Sequence, residues 1–416
     1  MNQLPLHNVR IVDLTQIIAG PVANRLLAQL GSQVIKLEPP WGRGLARGAA
    51  TGSANPDAKP YNMVPNFNEV NRGGKLSIAA NLSTQEAKEL VLKLVRISDI
   101  VIENYSPRVM GNLGLSYDEL RKVKPDIIMV SMPAFGGEGP WRDFVSAGPG
   151  VDALSGMSEL TGYEDGPPLK PGNFYADQNG GFHTVCAVLL ALLHRRRTGQ
   201  GQRVEVALRN GLMSVLGEKF LEYQLTGRVP TRMGNRHPDM APQNMYQCQG
   251  QDSWVAISVG SDEEWQTLCQ TIGRTDLAAD DRFKNAQGRK AHENDLDAAI
   301  STWTQQHTHY DVMHTLQTVG IKAGASLKSI EMISDPHYQS RDAFDYTDHP
   351  DSGMFRHPGL SWKMSRAPMR LGAPAPRFAA HVDWMMDELL VLSDQERTEL
   401  QEKHIIVRDP EQRSRG

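Results

Sequence analysis

Cysteine is scarce in this chain of 416 residues: Cys186, Cys248 and Cys269 are the only three. They are far apart, odd in number and without metal-ligand spacing, so neither a disulfide framework nor a zinc site is expected, and a reducing cytoplasm fits. Long apolar runs are missing as well. The longest, at 185–193, is too short to span a bilayer, and the first residues lack the charged head and apolar stretch of a signal peptide. A cytoplasmic protein that does not engage a membrane is expected. Positive charge is not in excess either: the net charge is −4 with 22% charged residues, which gives no electrostatic reason to bind nucleic acid. The basic run His194-Arg195-Arg196-Arg197 fits a solvated helix C-terminus, where the dipole favours cations. Neither a P-loop nor a Gly-x-Gly-x-x-Gly fingerprint occurs, which argues against a nicotinamide dehydrogenase.

What is present is enough apolar material, 40% of residues, for one large or two medium domains. Short β-branched runs at 9–14, 33–37, 76–80, 99–102, 126–132 and 203–208 read as strands. Segments such as 21–30 and 84–97 between them carry apolar residues at helical spacing. That alternation predicts an α/β domain with a parallel sheet. Residues 39–65 are rich in Gly and Pro and read as a long loop. From 227 the pattern changes: a Pro- and Gly-bearing connector is followed by a strand at 254–259, helices at 262–272 and 294–305, and another connector at 323–325. Amphipathic helices are expected at 383–390 and 393–403. The divisions are a large domain begun by 1–226, connectors and a small domain over 227–330, and a return segment over 331–416.

Asp177 stands in Gly172-Asn173-Phe174-Tyr175-Ala176-Asp177-Gln178-Asn179-Gly180-Gly181, a Gly-bracketed loop ahead of the apolar run. A carboxylate at a helix mouth sits near free N–H groups and the positive end of the dipole, which hold it ionised and able to attack. The competing role is a helix cap, by Asp177 or Asn179. Gln16 follows a strand and precedes Ala19-Gly20-Pro21 at a helix start, the crevice position for ligands in an open α/β sheet.

The chain resembles the class III CoA-transferases over nearly its whole length. The resemblance is carried by Asp13-Leu14-Thr15-Gln16-Ile17-Ile18-Ala19-Gly20-Pro21, Leu30-Gly31-Ser32-Gln33-Val34-Ile35-Lys36-Leu37-Glu38 and Asn71-Arg72-Gly73-Gly74-Lys75-Leu76-Ser77-Ile78. It continues through Asp99-Ile100-Val101-Ile102-Glu103-Asn104-Tyr105, Leu113-Gly114-Leu115-Ser116-Tyr117-Asp118-Glu119-Leu120, Ala134-Phe135-Gly136-Gly137-Glu138-Gly139-Pro140 and Thr198-Gly199-Gln200-Gly201-Gln202-Arg203-Val204-Glu205-Val206-Ala207-Leu208. It implies a large Rossmann-like parallel-sheet domain plus a smaller α+β domain, and an interlocked homodimer. Asp177 falls on the family's catalytic aspartate. Residues matching its coenzyme A segments are Gln16, Ala19, Arg72, Lys75, Asn104, Tyr105 and Ser106, with Arg142 a looser match. Many members carry a basic residue where Ser106 stands and Arg where Asn112 stands; Arg108 is the nearby substitute. Surface charge is the alternative role for Arg72, Lys75, Arg108 and Arg142.

The activity implied is transfer of CoA from an acyl-CoA to a free carboxylic acid through an aspartyl anhydride and an aspartyl-CoA thioester, with no metal. Gly180 and Gly181 are expected to supply oxyanion N–H donors. A lid around 234–243 is expected to exclude water. Arg47, Arg236 and His237 are candidate readers of an acceptor carboxylate, which favours succinyl-CoA and a small dicarboxylic acid. Related α-methylacyl-CoA racemases need a second acid/base, and where their pattern has Ala-Gly-His-Asp this chain has Ala147-Gly148-Pro149-Gly150. A CoA-binding protein without catalysis is the remaining alternative.

Overall fold

The computed structural model describes residues 4–40, 59–172, 174–367 and 372–409. They group into two compact units: Met1–Ser158, Lys170–Gly227 and Ser340–Gly416 form the first, and Glu159–Leu169 with Arg228–Gln339 the second.

The first unit is built on strands β1 (Arg10–Asp13), β2 (Gln33–Glu38), β3 (Leu76–Ala79), β4 (Ile100–Glu103), β5 (Ile128–Ser131) and β6 (Arg203–Glu205). They lie in the order β3-β2-β1-β4-β5-β6, every pair parallel. The order reverses between β1 and β4, and ligands in such sheets bind outside the C-terminal ends of the strands at that reversal. All residues of β4 and β5 are buried, because helices cover both faces of the sheet and a continuous Ile/Val run replaces alternation.

One face packs Ala87, Leu90, Val91, Leu94 and Val95 of the Gln85–Arg96 helix together with Phe378, Val382, Met385, Leu400 and Ile406 of the C-terminal segment. That helix starts where Thr84 accepts the Ala87 N–H at 3.2 Å, a side-chain cap of the usual kind. The other face packs Val22, Ala23, Leu26 and Leu27 of the Ala19–Gln29 helix against Val185, Val188 and Ala191 of the Tyr175–Thr198 helix.

The second unit has an antiparallel sheet, β7 (Gln243–Gln247), β8 (Trp254–Ser258) and β9 (Lys322–Ala325), in the order β7-β8-β9. Its core gathers Tyr246, Val255, Ile257, Trp265, Phe283, Leu296 and Val312.

Four expectations are corrected. Residues 323–325 are not a connector but lie in β9, where Ala323 pairs with Ile257; small residues hid the strand because its stability comes from the neighbour it packs on. A hairpin, β10 (Phe344–His349) with β11 (Gly353–Pro358), was not foreseen, since its polar run shows no strand period. Residues 383–390 are not a regular α-helix: a turn at Val382–Trp384 passes into a π-turn at Met385–Leu389, and Met385 and Met386 are both buried. Finally, the segment before the apolar run is not a loop. The helix already begins at Tyr175 and closes at Gly199, which has φ 73°. Gly180 and Gly181 remain helical despite their poor propensity because neighbours sit tightly on them. A Cβ on Gly180 would overlap Leu208, and one on Gly181 would lie 2.8 Å from Val22 Cγ1.

Candidate active site

Two loops meet at the strand reversal. The Gln16 N–H donates to Asn104 Oδ1 at 2.8 Å, and Asn104 Nδ2 returns a 2.8 Å bond to the Gln16 carbonyl. The loop after β1 is thus locked to the loop after β4. It is held from below by Asp13, whose Oδ1 accepts from Thr15 N–H at 2.8 Å and Thr15 Oγ at 2.6 Å. Lys36 Nζ donates to the Thr15 carbonyl at 2.8 Å. The side chain of Gln16 bonds the Tyr105 hydroxyl, and burial pushes that phenol up to about 12.

The same loop reaches Asp177. The Ala19 N–H, at the start of its helix, hydrogen-bonds the Asp177 carboxylate. Asp177 lies in the first turn of the Tyr175–Thr198 helix and is only 8% exposed. The capping role is therefore excluded: Phe174 is the N-cap, without a side-chain bond, and the Asp177 carboxylate accepts from a different element. Expectation and structure also differ on its charge. Burial first and the nearby Asp152 second push the Asp177 carboxyl up to about 6, and the Ala19 N–H only partly offsets them. Desolvation outweighs the helix terminus here.

Two non-glycine residues flank this point with left-handed backbones, Ile17 at φ 68° and Phe174 at φ 51°. Such conformations cost of order 1–3 kcal/mol each and gather at functional sites. Gly148 stands against the carboxylate, because a Cβ there would overlap Asp177 Oδ2. It opens the Gly148–Leu154 helix, which also carries the buried Asp152. Asp152 Oδ1 accepts the Ala176 N–H at 3.1 Å. Sequence reasoning missed both residues; the cue available was the spacing of Gly148 and Asp152 at one helical turn.

The other expected residues separate by burial. Lys75 is sealed in the core, donating to the Pro21 carbonyl at 2.9 Å, the Val70 carbonyl at 3.1 Å and Asn71 Oδ1 at 3.1 Å, with Asp13 Oδ2 at 3.6 Å. Three acceptors call for the three donors of an ammonium, although burial pushes its pKa down to about 7. Arg72 is buried too. It pairs with Glu69 at 3.0 Å and donates to the Pro358 carbonyl at 2.8 Å, tying the Pro65–Asn71 helix to β11. Burial alone would raise Glu69, but His357, Arg72 and Arg25 hold it down at about 2. Neither Lys75 nor Arg72 is placed as a phosphate clamp; both brace the fold.

Arg108 and Arg142 are exposed and share Asp143, at 2.5 and 3.4 Å. Beside Arg108, Pro107 joins Tyr105, Tyr117, Ser131, Gly137, Arg203, Glu103 and Glu205 around a cavity of about 240 Å³ at the ends of β4, β5 and β6. Burial raises the Glu103 carboxyl, offset in part by Ser131 and by the Tyr105 N–H. Ser106 accepts the Val109 N–H through its carbonyl at 2.9 Å.

Gly180 and Gly181 lie inside the Tyr175–Thr198 helix, where N–H groups belong to the helical ladder. The expected oxyanion donors are not there. Arg236, in the second unit, is committed to Asp297 at 2.9 Å and Glu293 at 3.6 Å. His237 Nδ1 accepts from Asp239 N–H at 3.1 Å and Met240 N–H at 3.2 Å, closing a turn. Neither is poised as a carboxylate reader. Arg47 lies outside the described residues.

The family model for CoA-transferase family III matches residues 6–382. The chain belongs to CoA-transferase family III. This family III enzyme is 32% identical to succinyl-CoA–D-citramalate CoA-transferase of Chloroflexus aurantiacus, over 97% of this chain and 98% of that one. It is 33% identical to succinate–glutarate CoA-transferase of Agrobacterium fabrum, over 92% and 96%. Its fold matches a CaiB/BaiF family protein from Brucella suis with a TM-score of 0.85 at 30% identity, over 94% of this chain and 100% of that one. Among the described residues, no helix of the transferase is long and apolar enough to cross a membrane, and no group of His, Cys, Asp and Glu is arranged to hold a metal ion.

Proposed function

We propose that Asp177 is the nucleophile of a CoA transfer between an acyl-CoA and a small dicarboxylic acid. The observation that carries this is a buried carboxylate at the strand reversal of a Rossmann-ordered sheet, held by the Ala19 N–H and with no cation paired to it among the described residues. A carboxylate oxygen of Asp177 attacks the thioester carbonyl, the C–S bond breaks and CoA leaves as thiolate, giving a mixed anhydride. The thiolate attacks the aspartyl carbonyl, releasing the donor acid and leaving an aspartyl-CoA thioester. The acceptor carboxylate attacks that thioester and expels the thiolate, which then takes the acyl group from the second anhydride and frees Asp177. No ATP is consumed.

The relatives that act on succinate, glutarate and citramalate support the dicarboxylate assignment. Gln16, Ala19, Asn104, Tyr105 and Ser106 line the coenzyme A path in this proposal. Arg108, next in the chain to the cavity-lining Pro107, serves its phosphates together with Arg142, with which it shares Asp143. The carboxylates Glu103 and Glu205 in the cavity suit hydroxyl and amino groups, and Arg203 pairs with Glu205 at 3.5 Å. The working form is a homodimer in the cytoplasm. Exposed Phe182, Leu190, Leu193, Phe220, Leu221 and Leu225, on the Tyr175–Thr198 and Gly217–Thr226 helices, are the surface that a second copy covers.

Racemisation is disfavoured by the same geometry. It requires acid/base groups on opposite faces of the substrate carbon, Pro149 has no proton to exchange, and Asp152 is fully buried. The test is to incubate the enzyme with a panel of acyl-CoA donors and free acids and follow CoA exchange by mass. Transfer without ATP, with a hydroxylamine-trapped Asp177 peptide, is expected; deuterium entry at the α-carbon without exchange overturns the proposal.

A further inference from the structure

The Gly148–Leu154 helix brings a second carboxylate to the foot of Asp177, and nothing in the transfer chemistry requires it. Asp152 has no exposed surface. Its Oδ1 takes the N–H of Ala176, the residue before the nucleophile, at 3.1 Å. Its Oδ2 is buried with no hydrogen-bond partner among the described residues. A helix-capping task needs one oxygen and no charge. Asn, Ser or Thr would fill it at less cost, since a buried charge without full pairing is expensive. What the capping task leaves unexplained is an ionisable carboxyl where an amide or hydroxyl would serve.

We propose that Asp152 is a positioning residue for the transfer, which orients the first turn of the Tyr175–Thr198 helix through Ala176 and sets its negative charge against Asp177 to make that carboxylate the stronger nucleophile. This rests on Asp177 being the attacking group. The neighbours that bear on the pair are few. Burial raises the Asp152 carboxyl, offset in part by the Ala176 N–H and by Lys170, whose ammonium lies over the Phe174 ring at 5.4 Å. Arg209, from the Leu208–Met213 helix, donates to the Leu154 carbonyl at 3.1 Å and stacks on Trp141. On the nucleophile's own helix, His183 Nδ1 lies 3.0 Å from the Asn179 carbonyl. The Ala19–Gln29 helix presents its Ala19 N–H. Among the described residues, Asp152 is the charged group that acts directly on Asp177. A carboxylate crowded by like charge binds its proton more tightly and is correspondingly more basic.

Asp152→Asn keeps an oxygen for the Ala176 N–H and removes the charge. The pH dependence of kcat/KM for the acyl-CoA donor is measured in both proteins, with succinyl-CoA and glutarate as the pair. The acid limb of the wild type, near pH 6, is expected to move down by about one pH unit, and the plateau to fall about three- to tenfold. Asp152→Glu is expected to restore the limb toward that of the wild type. A limb unmoved in folded Asp152→Asn overturns the proposal. If that variant does not fold, Asp152→Ser is measured in the same way, and a wild-type limb below pH 4.5 overturns the proposal without any variant. Urea unfolding at pH 5 and 7.5 gives a readout that needs no substrate: the stability lost between them is smaller in Asp152→Asn than in the wild type, and an equal loss overturns the proposal. Should Asp177→Asn leave CoA exchange intact, the nucleophile assignment fails instead, which the urea comparison does not depend on.

Discussion

At the residue scale, Asp177 carries a conflict between stability and function. Its carboxyl, normally near 3.8, is pushed up to about 6 in the folded chain. A raised acid favours the folded state below its unfolded pKa, and that contribution is lost as pH rises through about 6. At pH 7.5 the ionised, buried carboxylate therefore costs about 1–3 kcal/mol. Asp177→Asn is expected to abolish CoA exchange and to raise unfolding stability by that amount at pH 7.5, with the gain shrinking toward pH 4; urea denaturation across this range checks it. The proposed attack needs the ionised form, so kcat/KM is expected to fall tenfold per unit on the acid side of pH 6. Lys75 and Arg108 make a contrasting pair. Lys75→Met is expected to cost about 3–5 kcal/mol, because it removes the nearer of the two cations on buried Asp13 and leaves three buried acceptors unpaired. Arg108→Ala should leave the melting temperature unchanged and raise the KM for acyl-CoA severalfold; thermal melts and steady-state kinetics separate the two.

At the scale of elements, the site is a junction of three helix starts. The Ala19–Gln29 helix offers its first N–H, the Tyr175–Thr198 helix carries Asp177 in its first turn, and the Gly148–Leu154 helix packs its first residue on the carboxylate. Glycine is required at 148 for close approach. Gly148→Ala must displace Asp177 Oδ2, and since small misplacements of a reacting group are costly, a loss of about 10²-fold in kcat with little change in stability is expected. Kinetics together with circular dichroism melts read both. Much of this scale was legible in the sequence. All six strands of the large sheet fall where β-branched runs placed them, and Ser393 heads the Asp394–Glu402 helix with a capping box to Glu396. What escaped were elements whose stability comes from partners, β9 and the β10–β11 hairpin, and the early start of the long helix, which packing on Gly180 and Gly181 imposes.

At the scale of the whole molecule, an apolar row on the Tyr175–Thr198 and Gly217–Thr226 helices is left in solvent by a single chain. Isolated exposed apolar residues are ordinary, but several on each of two helices fit the proposed association of two copies. Sedimentation at micromolar concentration is expected to show a dimer, and Leu190→Glu with Leu221→Glu to shift it toward monomer.

The amino-acid order by itself determined the α/β class, the strand positions and, through ordered family segments, the place of Asp177, because backbone preference and apolar period are local properties. Only the tertiary structure decided which charges stand at the surface and which are sealed in the core. Arg72 and Lys75 look like Arg108 in a sequence, yet burial assigns the first two to Glu69 and Asp13 and leaves the third at the surface. Asp152 likewise reads as any helix carboxylate until the fold sets it, desolvated and half-paired, beside Asp177. Desolvation is a property of the surroundings, and residues far apart in the chain make those surroundings.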